Sequence, residues 1–456
     1  MTENQGTHIL LSVEAEAYVE HLEVFDLKDI GSPRWHQQHE YLEKLNMQAV
    51  VNAAAKEDEF VKDFFISHGK IHLLIQDLLT TEIWKQNIFQ ELLDMDFQPK
   101  TTFPIYIVLY HEATVINLLE TMMFYRETVE VAEDSVLDLV DYAYRKLCYL
   151  ASKSVVNEKD DEFIPFGGDI TQAVSNMEEL EKQDIQLQFE ISIKALSLLR
   201  YVTDHMDCLP LSVMTRILNT HDIPILLVQL VESPPWTKKE DGKIFKFIES
   251  KWQEVSFEDS LKLTKTEGQV WLALFHLLME RACQDKYDLN NYRKNTIIKL
   301  RSYLTEVLLD QLPILSELQR YLEHLAIMDP PPAKKDLVLE QVPEIREKIL
   351  RKYEGKWAKL AKVQSRTIFN QSDADIQAQA QRWAATYNID LLQDLISEPP
   401  KCAVCGEPAS KRCSRCQNEW YCRRECQVGH WKKHKKACDI LYDTLRKAED
   451  QEKRVN

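Results

Sequence analysis

Glycine is scarce in this chain: ten occur in 456 residues, and eight of those precede Cys402. A dinucleotide- or phosphate-binding α/β enzyme needs glycines for its tight turns and for close backbone approach to phosphate, so the shortage argues against that class and makes helix the default. Long apolar runs are also missing. The most apolar stretch, Ile225 to Val231, falls far short of the roughly 18 residues that cross a bilayer. Met1 to Leu11 offers no basic start, apolar core or small-residue cleavage site, which leads us to expect a soluble intracellular protein without a signal peptide. No glycine-rich phosphate loop, Gly-x-Ser-x-Gly elbow or His-Glu-x-x-His pair occurs.

What is present points to a helical scaffold. The chain is 45% hydrophobic, enough for a sizeable core in two or three structural units. Val136, Val140, Ala143, Leu147 and Leu150 recur at helical spacing within Ser135 to Ser152, and Asp134 or Ser135 can cap the first turn. Ile185, Phe189, Ile193, Leu196 and Leu199 repeat the pattern, as do Val270, Leu274, Leu277 and Leu278, then Leu300, Leu304, Leu308 and Leu312. Leu211 to Leu218 and Ile225 to Glu232 form a pair across a short break, with Pro224 where a second helix begins. Such pairs are similar to armadillo or HEAT units. The expected fold is all-α: a helical body, either an armadillo/HEAT-like solenoid or an irregular bundle, followed by a small C-terminal metal-binding module.

Breaks set the expected boundaries. Phe163 to Ser175 and Pro234 to Gly242 read as loops, and Asp329-Pro330-Pro331-Pro332 excludes a helix. The organisation is therefore a body over 1–328, a proline-rich break at 329–335, a helical segment at 336–398, a metal module at 402–438 and a charged tail at 439–456. Within the body, Glu112 beside His111 and Asp222 beside His221 are carboxylate–histidine neighbours that could serve acid–base work, but adjacent helical residues point apart. Each histidine is expected to be solvated or satisfied in the core. Phe124, Tyr125 and Trp271, and the lone Cys148, Cys208 and Cys283, read as core residues.

The other seven cysteines fall between Cys402 and Cys438. Their order is Cys402-x2-Cys405, Cys413-x2-Cys416, Cys422-x3-Cys426 and His434-x3-Cys438, eight ligands for two closed tetrahedral zinc sites with no open position for catalysis. Cys422/Cys426 and His434/Cys438 are i, i+4 pairs. On one helix they would lie about 120° apart, which assigns them to different ions. His430, four beyond Cys426, is a neighbour that spacing alone leaves open. Residues 401–438 carry ten Lys/Arg against three Asp/Glu in a chain of net charge −17, so the body is more acidic than the total and should repel nucleic acid. Arg412, Arg415, Arg423, Arg424, Lys432, Lys433, Lys435 and Lys436 then suit an acidic protein surface.

This spacing, with Ser-Arg-Cys-Gln-Asn-Glu-Trp-Tyr-Cys-Arg-Arg-Glu-Cys-Gln at 414–427, resembles the MYND fingers. The resemblance implies an interleaved arrangement, with Cys402, Cys405, Cys422 and Cys426 on one structural zinc ion and Cys413, Cys416, His434 and Cys438 on the other. It also implies a shallow groove for proline-containing peptides at Ser414, Gln427 and Trp431, unless Trp431 merely covers the zinc core.

Beyond the finger, Trp-His-Gln-Gln-His-Glu at 35–40, Leu-Glu-Lys-Leu-Asn-Met-Gln-Ala at 42–49, Phe-Pro-Ile-Tyr at 103–106, His-Glu-Ala at 111–113 and Lys-Lys-Asp-Leu-Val-Leu-Glu-Gln at 334–341 are similar to MYND-bearing assembly factors for axonemal dynein arms. That resemblance implies a non-enzymatic cytoplasmic protein, near centrioles or the ciliary base in ciliated cells. Its expected partners are a leucine-rich-repeat co-chaperone at the finger, heat-shock chaperones, and dynein chains as clients. The competing expectation is a transcriptional corepressor adaptor. A SET-type methyltransferase fits less well, because its MYND finger lies inside the catalytic fold beside glycine-rich motifs that are missing here.

Overall fold

The computed structural model describes residues 9–56, 58–95, 97–153, 177–328, 333, 341–370 and 372, together with 402–409, 411–416, 419–432, 434–435, 438–439 and 442. The expected loop at 163–175, the prolines at 330–332, residues 373–398 and most of the 439–456 tail lie outside them. The chain divides into two compact units, Leu10–Phe369 and a second formed by Met1–Ile9 with Asn370–Asn456.

Local chemistry starts the long helices where the chain turns inward. Ser32 accepts the Trp35 amide at 3.3 Å and Pro33 occupies the first helical position of Pro33–Ala55. Thr264 and Glu267 close a capping box on Lys265–Met279. These helices stack in chain order in two rows. Pro33–Ala55, Phe103–Met123, Met177–Asp204, Lys265–Met279 and Leu315–Ile327 pack each on the next; Ile71–Ile83, Ser135–Lys153, Ile223–Glu232 and Asn291–Ile298 do the same alongside. Each helix of the second row also packs on the following helix of the first. Progressive nearest-neighbour contact of this kind is a solenoid arrangement, so of the two body architectures expected the stacked one is observed. Among the described residues no helix is long and apolar enough to cross a membrane.

Three local expectations are corrected. The segment read as a loop at Pro234 to Gly242 opens an antiparallel meander, Thr237–Glu240, Lys243–Ile248 and Lys251–Val255. Both hairpins turn on two residues with positive φ, Asp241 and Gly242 (+48° and +78°), then Glu249 and Ser250 (+50° and +59°), the backbone that tight hairpins demand. Buried Lys246, paired with Glu267 at 3.0 Å, ties the middle strand to the Lys265–Met279 helix. The leucines at 300–312 do not share one helix, because Thr305 caps a new one, Glu306–Gln311, and Pro313 follows its end. Phe124 is exposed rather than core, at the end of Phe103–Met123, while Trp271 and Cys283 are buried and Cys148 and Cys208 are half-buried.

Residues 341–369, beyond the expected 329–335 boundary, belong to the same compact unit as the body. They return along the second row of helices. Ser212 reaches Gln341 at 3.1 Å, the Asp138 carboxylate accepts the Ile345 amide at 3.0 Å, and Arg346 donates to Gln86 at 3.0 Å. Gln364, fully buried, accepts from the Trp84 indole at 2.9 Å and donates to the Leu27 carbonyl at 3.1 Å. Helices Ile345–Tyr353 and Trp357–Thr367 therefore close the N-terminal end of the stack instead of forming a separate segment. Gly31 (φ +82°) makes this possible: a Cβ there would stand 2.9 Å from Ile368 Cγ2 and 3.1 Å from the Phe369 ring. Gly31→Ala is expected to cost the body about 1–3 kcal/mol, read as a lower urea midpoint with unchanged slope. An unchanged midpoint would show that Ile368 and Phe369 do not brace this end.

Candidate metal centre and protein-binding finger

The finger begins with a knuckle at Cys402 to Cys405, closed by the Gly406 amide on the Cys402 carbonyl (2.9 Å), with Gly406 at φ +72°. The Ala403 amide bonds the Trp420 carbonyl at 3.0 Å, joining this knuckle to a two-stranded ribbon, Lys411–Arg412 against Trp420–Tyr421. The second knuckle, Cys413 to Cys416, leaves that ribbon directly. A helix follows over 424–432, and His434, Lys435, Cys438 and Asp439 are helical too.

These segments bring the eight predicted ligands into two groups, Cys402, Cys405, Cys422, Cys426 and Cys413, Cys416, His434, Cys438, with donor atoms in each group all within 4.8 Å of one another. Cys405 Sγ lies 3.4 Å from Cys422 Sγ and 3.9 Å from Cys426 Sγ, and Cys422 to Cys426 is 3.7 Å. In the second group Cys413 Sγ is 3.8 Å from Cys438 Sγ, and Cys416 Sγ is 3.4 Å from His434 Nε2. A zinc ion at the centre of four thiolates with Zn–S near 2.3 Å sets sulfur edges of ~3.8 Å, so both groups fit zinc and are too open for disulfides. The protein thus holds two structural zinc ions, interleaved along the sequence. Burial works against the Cys402 thiolate, but the Cys422, Cys405 and Val404 amides pull its pKa down to about 6. Cys422, crowded first by Cys405 and then by burial, is pushed up to about 12. Four sulfurs this close oppose each other's ionisation, a conflict that a divalent cation removes.

His430 sits in neither group; its Nδ1 is 3.1 Å from the Tyr421 hydroxyl. Ser414 is exposed and Gln427 half-buried. Trp431 is half-buried against the zinc core, its ring edge-on to His434 at 6.0 Å, so it both covers the core and keeps an accessible face. Arg423, Arg424, Lys432 and Lys435 are exposed, and Arg415 pairs with Asp439 at 2.8 Å.

The MYND finger family matches residues 402–438. A fruit-fly protein (Drosophila melanogaster) named zinc finger MYND domain-containing protein 10 homolog is 32% identical over 447 residues, covering 93% of this chain and 98% of that protein. The chain belongs to the zinc finger MYND domain-containing protein 10 family. A ubiquitin carboxyl-terminal hydrolase 17 of Arabidopsis thaliana is 41% identical over only 51 residues, 7% of its own length, and a ubiquitin C-terminal hydrolase 15 of Oryza sativa subsp. japonica is 49% identical over 39 residues, 4% of its length. Shares that small carry no hydrolase activity to this chain. No solved structure matches it.

In this member of the zinc finger MYND domain-containing protein 10 family the body also holds a polar cluster that sequence reading missed. Glu112, fully buried, meets Lys85 Nζ at 2.9 Å, Lys146 Nζ at 2.6 Å and the Tyr142 hydroxyl at 2.7 Å, and Lys85 also reaches Asp184 at 2.6 Å. His111, next in sequence, faces elsewhere: its Nε2 is 2.9 Å from Asp77 and its Nδ1 2.6 Å from His39 Nδ1. His221 meets Asp141 at 2.6 Å. Each carboxylate–histidine neighbour is therefore divided between separate satisfied networks. The missed signal was Glu112 itself, a fully buried carboxylate in the largely apolar helix Phe103–Met123, where a buried charge needs partners.

Proposed function

We propose that this chain is a non-enzymatic cytoplasmic assembly factor for outer and inner axonemal dynein arms, working near the ciliary base with heat-shock chaperones. The observation that carries the reading is likeness over 93% of the chain to a relative that shares both body and finger, joined to two closed zinc sites that leave no coordination position for a substrate. The finger would hold a leucine-rich-repeat co-chaperone, and the solenoid body would offer extended surface to chaperone or dynein chains. Two modest contacts on one chain raise each other's effective concentration. A nuclear corepressor adaptor is the second reading, resting on the same kind of finger.

The test is the outer- and inner-arm content of axonemes from multiciliated cells lacking the protein, beside their cytoplasmic dynein heavy-chain levels. Lost arms with unstable heavy chains are expected; normal arms would favour the adaptor. At the finger, Trp431→Ala is expected to keep both zinc ions while weakening co-chaperone binding at least tenfold, as for a central aromatic anchor, in a titration by calorimetry. Undiminished affinity would confine Trp431 to covering the zinc core.

A further inference from the structure

A solenoid needs a capping surface at each end, because its last unit has no successor to cover its apolar side. At the N-terminal end Trp357–Thr367 and Phe369 serve. Elsewhere, just before the last two helices of the first row, the chain leaves apolar side chains exposed. Gln311 clamps two short helices together, donating to the Leu261 carbonyl at 3.1 Å and the Val307 carbonyl at 2.9 Å and accepting the Leu263 amide at 2.8 Å. Around this clamp stand Phe257 (74% exposed), Leu261 (51%), Val307 (44%) and Ile314 (43%). Phe257 and Leu261 are an i, i+4 pair on one helix, and Val307 lies one turn before Gln311 on the other, so Gln311 joins the segments that carry them. Ser256 and Thr305 cap the two helices and fix their geometry.

The rim has one sign. Glu258, Glu306 and Asp310 are exposed and form no ion pair among the described residues, whereas Lys262 is neutralised by Asp259 at 2.7 Å. Apolar side chains within an unpaired acidic rim favour a partner that is apolar on one side and basic at its edges.

We propose that this surface of the body, around Leu261, Val307 and Gln311, docks a basic amphipathic helix of a partner protein. The helix lays its apolar face on Phe257, Leu261, Val307 and Ile314 and sets lysine or arginine against Glu258, Glu306 and Asp310. The surface is made by body residues and not by the finger, so it adds a site to the reading above and stands or falls without it.

The experiment uses the full chain and a labelled synthetic helix of leucine and lysine at amphipathic spacing, followed by fluorescence anisotropy, with a leucine–glutamate helix as control. The lysine helix is expected to bind and the glutamate helix not. Glu306→Lys with Asp310→Lys should weaken binding about tenfold, the sum of modest exposed charge pairs, and reduce its salt dependence. Leu261→Asp with Val307→Asp should abolish it although both changes add negative charge; both sites are exposed, and an unchanged melting temperature checks the fold. Absent binding, equal binding of the glutamate helix, or undiminished binding to the aspartate variant would overturn the proposal, the last result marking mere attraction to an acidic body. So would self-association of the wild-type chain in sedimentation that Val307→Asp disperses, since the occupant would then be a second copy.

Discussion

Cys413→Ala is expected to unfold the finger and leave at most one zinc per chain, while the body unfolds at the same urea concentration as in the wild type. Among its described residues, the finger's buried core apart from the ligands is Ala409 and Tyr421, with Trp420 and Trp431 partly covering it. A core that small cannot offset the conformational entropy of folding, whereas structural zinc supplies roughly 10–16 kcal/mol per site in zinc-finger peptides. Cys413 also joins distant parts of the module, since its group ties the second knuckle to His434 and Cys438 on the helical side. Because Cys422 and Cys426 lie between those partners in sequence, the first zinc group loses support as well. The readout is the zinc-to-protein ratio together with tryptophan fluorescence, and a chelator should reproduce it in the wild type. Two zinc ions and an unaltered spectrum in the variant would overturn this account.

Metal ligands were legible because their chemistry is local: pairs three or four residues apart need only a knuckle or one helical turn to face an ion. The interleaving of Cys402/Cys405 with Cys422/Cys426 is not local; it depends on the ribbon at Lys411–Arg412 and Trp420–Tyr421 folding one knuckle against the far helix. In the body, helices such as Ser135–Lys153 announce themselves by one apolar face. The stack they form leaves no sequence period, since its helices run from eight residues, Asn291–Ile298, to 28, Met177–Asp204. The meander at 237–255 was hidden by Lys238 and Lys239 on an exposed edge strand, with Asp241-Gly242 read as a loop rather than as a hairpin turn. The return of 341–369 to the N-terminal helices rests on contacts such as Gln364 to Trp84, 280 residues apart, which no local pattern encodes.

Glu112→Ala is expected to destabilise the body by about 3–5 kcal/mol, because it leaves the buried Lys146 with only Gln188 at 2.8 Å and a distant Glu82 at 4.0 Å, and strips Lys85 of one of its two carboxylates. Replacing Glu112 and Lys146 together by Leu and Met should cost much less than the single change, since two desolvated charges leave at once. Acid should act on the same group. Burial opposes the Glu112 carboxylate, yet Lys146 and Lys85 overcome it and hold its pKa far below the usual range. A depressed carboxyl pKa contributes stability that is complete above the unfolded value near 4.3 and is lost as pH falls below it. His39 adds an earlier limb: burial, then the neighbouring His111 and His36, hold its pKa well below normal. The unfolded chain therefore takes up that proton first, and stability declines from about pH 6.5 downward. Urea midpoints measured from pH 8 to pH 3.5 should fall in these two limbs, with Glu112→Ala making the lower one shallower and keeping the upper, since Asp26, Glu120 and Asp141 are also held low and still contribute. A variant whose midpoints stay parallel to the wild type across the whole series would show that Glu112 is not the group whose charge the body depends on.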